Sequence, residues 1–64
     1  MANVMELRVW QKDKLYELLE TRHEMKRENI DTRLIDRLIN KSKASMEAED
    51  VAYVEKMIAE LISK

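Results

Sequence analysis

The absence of glycine and proline constrains this chain more than any residue it contains: neither occurs in 64 positions. Backbone conformations with φ > 0 fall to glycine by default, and tight hairpins and phosphate-cradling loops depend on it. A chain without glycine is therefore badly equipped for a β-sheet, a P-loop or a dinucleotide-binding fingerprint. Phenylalanine is missing too. What remains is an all-α protein.

Sixty-four residues make one domain, 1–64. A domain below about 70–80 residues rarely builds a core worth more than ~3–5 kcal/mol, and usually adds a staple. With no cysteine there is no disulfide, zinc ribbon or thiolate nucleophile, and a single histidine removes His-rich metal sites and the usual triads. No cofactor and no metal are expected. Oligomerisation is the staple left over, which predicts a homodimer or a bundle completed on a larger partner.

Apolar periodicity at ~100° per residue predicts three helices, at about 4–28, 32–43 and 46–62. In the first, Val4, Leu7, Leu15, Leu18 and Met25 form one stripe, widened by Leu19, with Met5, Val9 and Tyr16 on a second shoulder. That helix is too long for the other two to cover everywhere, so a second chain is expected to pair with it. Asn29 or Asp31 is expected to cap the second helix, whose Leu34, Ile35, Leu38 and Ile39 share a side. Ser45 is expected to cap the third, where Val51, Val54, Ile58 and Leu61 recur at helical spacing and Glu47, Glu49 and Asp50 suit the dipole at its start. Extended through Ser42–Ser45 as one helix, the two apolar stripes would lie roughly 150° apart, so the chain must break there.

Charge balances almost completely, 12 basic against 13 acidic residues, a formal net −1. No global basic field marks a dedicated nucleic-acid binder. The distribution is uneven, however, with an excess of bases between Arg22 and Lys43 and of acids from Ala44 onward. No apolar run reaches the ~18 residues of a membrane span, and no secretory h-region follows Met1. The expectation is a cytoplasmic protein with no membrane partner.

Trp10 projects roughly opposite the main stripe of the first helix. Tryptophan is enriched at binding hot spots, so Trp10, with Tyr16, Val9 and Met5, is the candidate protein interface. The competing expectation makes Trp10 a core aromatic folded over the bundle end. A second candidate surface is the basic ridge Arg33, Arg37 and Lys41 at i, i+4, i+8, with Lys43 nearby, which could contact phosphates. Against it, Asp31 and Asp36 sit among these bases and the following turn lacks the glycine common in helix-turn-helix motifs. His23 has no second histidine to make a metal pair, and the methionines read as gap-filling core.

Lys14-Leu15-Tyr16-Glu17-Leu18-Leu19-Glu20-Thr21-Arg22 and Leu34-Ile35-Asp36-Arg37-Leu38-Ile39 resemble, in pattern, the helices of the all-helical chorismate mutases. The resemblance implies an arginine-rich cage around a dianionic substrate, with Arg22 the one natural match. That family's first helix continues to a catalytic lysine, whereas Asn29–Asp31 ends this one within two turns and leaves the lysine position without a counterpart. The pattern is one that leucine-rich helices share, and it is not adopted. The sequence reading is a small non-enzymatic regulator or adaptor of phage or plasmid type. It acts by protein–protein interaction; the alternative is direct DNA or RNA binding through the ridge of the second helix.

Overall fold

The computed structural model describes residues 4–63, with side chains for 6–63. Three helices follow in order, α1 Val4–Arg27, α2 Arg33–Ala44 and α3 Ala48–Ile62, and no strand occurs among the described residues. The expected order of long, short and medium is met, each boundary within two residues of the periodicity estimate. With 24 residues, α1 runs ~36 Å at the usual helical rise and sets the 41 Å long dimension of the molecule.

Side-chain contacts define how the shorter helices lie. Gln11 reaches the backbone of Ser45 at one end of α2, and Arg22 reaches Asp36 at the other, so α2 returns antiparallel to α1. Arg8 bonds Asp50 at the start of α3, while His23 and Arg27 share a cleft with Leu61 and Ile62 at its end, so α3 runs parallel to α1. The topology is up-down-up.

Leu15 sits where the three helices converge and is fully buried. Ile35 and Ile39, one turn apart on α2, and Val54 on α3 close around it; Ile58, a turn beyond Val54, is buried as well. Tyr16, Leu18, Leu19, Met25, Met46 and Val51 pack half-buried against this cluster. The core is narrower than the apolar stripes suggest. Leu34 and Leu38 share the apolar side of α2 but are 72% and 48% exposed, because only Ile35 and Ile39 point at α1. Leu7 and Leu61, also on predicted stripes, are exposed.

The connections correct two expected caps. Asn29 closes α1 rather than opening α2. It takes a left-handed conformation with φ 59°, its N–H donates to the Lys26 carbonyl, and the Ile30 N–H donates to the Met25 carbonyl at 2.8 Å. These two bonds make a Schellman motif, with asparagine at the position glycine normally fills. Asp31 does meet the start of α2, its Oδ1 accepting the Arg33 N–H at 2.9 Å, but Thr32 is the cap residue by position and makes no side-chain cap bond. Ser45 likewise closes α2 rather than opening α3: its Oγ donates to the Ser42 carbonyl at 2.9 Å. Glu47, in extended conformation, precedes α3. The break between α2 and α3 falls at 45–47, about two residues beyond the 44–45 gap expected between the two helices.

Candidate functional site

Sequence position on α1 decides which neighbour each side chain meets. Residues on one flank of the Leu15 line face α2 and those on the other face α3, and each flank forms an open cleft. Between α1 and α2, Trp10, Gln11, Lys14, Leu18, Leu38, Lys41, Ser42 and Ser45 line a cleft of about 300 Å³. Between α1 and α3, Val9, Lys12, Asp13, Tyr16, Tyr53, Val54 and Met57 line one of about 370 Å³.

The interface residues proposed from sequence are thereby divided. Trp10 stands in the α1/α2 cleft and is 62% exposed, which excludes a core role for it. Val9 and Tyr16 stand together in the other cleft. The Met5 side chain lies outside the described residues. Trp10 and Val9, adjacent in sequence, serve different surfaces because neighbouring helical residues point ~100° apart.

The α1/α3 cleft also holds Tyr53, which the sequence reading did not single out, and one turn on Met57, which it took as gap-filling core; both are exposed. Their spacing of four residues beside the Val54–Ile58 line was the available signal. Lys12 Nζ lies 5.3 Å from the Tyr53 ring centre, within range of a cation–π contact, and covers part of that apolar surface with its stem.

The four candidate nucleic-acid residues do not form one surface. Arg33, Arg37 and Lys41 lie on the solvent side of α2, but Arg33 is bound to Asp31 at 2.9 Å. Lys43 turns toward α3, its Nζ 3.6 Å from Glu55 Oε2. Of these four, Arg37 and Lys41 are exposed and have no ion-pair partner among the described residues.

A third cleft, lined by Leu19, Arg22, Asp36, Ile39, Asn40, Lys43 and Glu55, is polar, but its charges answer one another. Arg22 Nε donates to Asp36 Oδ1 at 2.6 Å, and Thr32 Oγ1 donates to Asp36 Oδ2 at 3.1 Å. The Arg22 hydrogen bond holds the Asp36 carboxyl below the usual carboxylate range. Each cation here faces a carboxylate of the same chain, which is a tie between helices and not an arginine cage. Among the described residues no three His, Cys, Asp or Glu side chains gather as a metal would require. His23 lies in a cleft of about 350 Å³ with Glu20, Glu24 and Arg27 of α1 and Ile58, Leu61 and Ile62 of α3.

Asp50 stands in the first turn of α3 as its sequence position suggested, and its burial is what the sequence did not reveal. It occupies the inward line of α3, one turn before Val54, with a side chain only 8% exposed. Arg8 Nε donates to its Oδ2 and Arg8 Nη2 to its Oδ1, both at 2.9 Å, while Nη2 also reaches Glu49 Oε1. These hydrogen bonds lower the Asp50 carboxyl from its ordinary value, and the two acids together raise the Arg8 guanidinium. With Arg22–Asp36, this pair fixes the register of α1 against both partners.

No protein-family model matches the chain, and no curated protein or solved structure is significantly similar to it. No described helix is long and apolar enough to cross a membrane.

Proposed function

We propose that this protein is a small non-enzymatic regulator or adaptor of phage or plasmid type, working in the cytoplasm by binding another protein and a second copy of itself. The observation that carries this reading is the balance of apolar surface: among the described residues five hydrophobic side chains are buried, whereas ten large ones, Trp10 and Tyr53 among them, are exposed. Scattered exposed apolar residues are ordinary on a protein surface. Half of the ten line the two clefts that flank α1, Val9, Tyr53 and Met57 in one and Trp10 and Leu38 in the other, and aromatic anchors in clefts are the usual hot spots of protein interfaces. The polar cleft offers no comparable site, since its cations and carboxylates already pair.

The test is a tagged pull-down from the native host with one half nuclease-treated, using wild type, Trp10→Ala and Val9→Glu. A stoichiometric protein that survives nuclease and is lost from either variant supports the reading. Recovery of the same protein by both variants, at unchanged helicity, would refute it. Nucleic acid co-purifying in a manner abolished by Arg37→Ala would instead favour the second reading, in which the unpaired Arg37 and Lys41 contact phosphates; each lost phosphate contact flattens the salt dependence by about one unit of slope.

A further inference from the structure

We infer that the cleft between α1 and α2 is a docking groove for an acidic amphipathic helix of a partner protein, one that sets carboxylates between two apolar side chains. The inference rests on the binding reading above and gives the chemistry of what one of its two clefts takes.

The cleft is built in layers. Trp10, Lys14 and Leu18 follow at four-residue intervals along its α1 wall, and Leu38, Lys41, Ser42 and Ser45 line its α2 wall. Gln11 reaches Ser45 and Arg22 reaches Asp36, which sets the two antiparallel helices level at both ends. Interpolating between those ties puts Leu38 beside Leu18, and Lys41 within ~3 Å of Lys14 along the axis at the usual helical rise. A Trp10 layer, a layer with a lysine on each wall, and a Leu18–Leu38 layer therefore succeed one another. Both lysines are exposed and have no ion-pair partner among the described residues. No acid lines the cleft; Glu17, three residues after Lys14, stands further round α1 and makes no ion pair with it. Two like charges at one level across an apolar groove repel, and a carboxylate set between them replaces that repulsion with two attractions.

The spacing selects the occupant. Trp10 and Leu18 are eight residues apart, ~12 Å along α1. A helix lying in the groove spans nearly that distance with apolar residues at i and i+7, and its i+3 and i+4 positions then fall on the same face at the lysine layer. A second copy offers no such match through this face, because it would bring lysines to lysines. Single strands of nucleic acid are held by successive stacked aromatics along a basic track. This cleft offers Trp10 alone, with leucines beyond it, in a chain of formal net charge −1.

Fluorescence anisotropy with two labelled, helix-stapled synthetic peptides tests the assignment. Both carry leucine at i and i+7; one has glutamate at i+3 and i+4, the other lysine. Wild type is expected to bind the glutamate peptide about tenfold more tightly, with the margin shrinking as salt rises. Lys14→Glu/Lys41→Glu, shown to be helical by circular dichroism, should reverse the preference, and Trp10→Ala should weaken both peptides. Absent or equal binding to wild type, which needs no variant to fold, would overturn the inference. So would an unreversed preference in the helical double variant, or undiminished binding by Trp10→Ala. A single-stranded oligonucleotide held more tightly than the glutamate peptide, or a wild-type dimer in sedimentation equilibrium that Trp10→Ala dissociates, would overturn it in favour of those occupants. In the pull-down, a protein lost from Val9→Glu but kept by Lys14→Glu/Lys41→Glu would overturn this assignment and leave the binding reading standing. Glutamate-peptide binding, with the same host protein recovered by both Trp10→Ala and Val9→Glu, would do the reverse.

Discussion

Arg8 and Asp50, from opposite ends of the chain, are joined by two parallel hydrogen bonds of 2.9 Å that fix where α3 begins against α1. The carboxylate is buried while the guanidinium is half-exposed, so the pair reaches from the edge of the core to the surface. Removing one member of a buried pair leaves the other without compensation, whereas replacing both with apolar residues often costs little. Arg8→Met alone is therefore expected to lower the urea midpoint, and Asp50→Leu introduced beside it to recover a large part of the loss. Additive effects in the double variant would show that the two residues contribute separately.

Acid should weaken the fold through Asp36 and Asp50. Both carboxyls are held below their ordinary value of 3.8, chiefly by hydrogen bonds from Arg22 and Arg8. A carboxyl with a lower pKa folded than unfolded binds fewer protons when folded, so its contribution is complete above the unfolded value and is lost as pH falls through the folded one. Urea midpoints should stay level from neutral pH down to about 5 and decline below about 4. In Asp36→Asn/Asp50→Asn the neutral-pH midpoint should already be lower and the acid decline shallower. An acid limb as steep as that of wild type would place the titration elsewhere. Asp31 is also lowered, by Arg33, but that pair is exposed and local, and solvent screening leaves it little bearing on the fold.

Leu15 carries more of the fold than its position near the middle of a long exposed helix suggests. It is fully buried and is the α1 member of a cluster otherwise made by Ile35, Ile39 and Val54. Leu15→Ala removes three side-chain carbons at the convergence of all three helices, and such changes cost ~2–5 kcal/mol. A domain of this size holds only about 3–5 kcal/mol in reserve, so the variant should be largely unfolded at room temperature by circular dichroism. Leu61→Ala, at a side chain 44% exposed, should retain a cooperative thermal transition.

The helices were legible because apolar spacing is a property of the chain alone. Val54 and Ile58 on α3, and Ile35 and Ile39 on α2, are buried where periodicity put them. Three features were hidden for distinct physical reasons. Asp50 reads as an ordinary first-turn acid until a cation is brought to it from 42 residues away, and only its place one turn before Val54 hinted at burial. Trp10 and Tyr16 share a helix, but whether they share a surface depends on where α2 and α3 dock. Ser45 and Asn29 are both good N-cap residues by type, yet serine and asparagine also serve at helix ends, and the choice is set by where the preceding helix stops.

Asn29 shows how a chain without glycine turns between α1 and α2. At φ 59° it occupies the left-handed region, where a side chain normally costs ~1–2 kcal/mol and asparagine is among the few residues found routinely. Two backbone bonds, to Lys26 and Met25 carbonyls, depend on that conformation. Asn29→Gly keeps them without steric penalty and should leave stability unchanged within ~0.5 kcal/mol, the relief of strain offsetting the greater freedom of the unfolded chain. Asn29→Val must either bear the full clash of a branched side chain or abandon the turn, and should lose about 1–2 kcal/mol in urea denaturation. Equal stability in the glycine and valine variants would mean that this turn does not need a left-handed residue, and that the helical pairing of α1 with α2 is set by Arg22 and Asp36 without it.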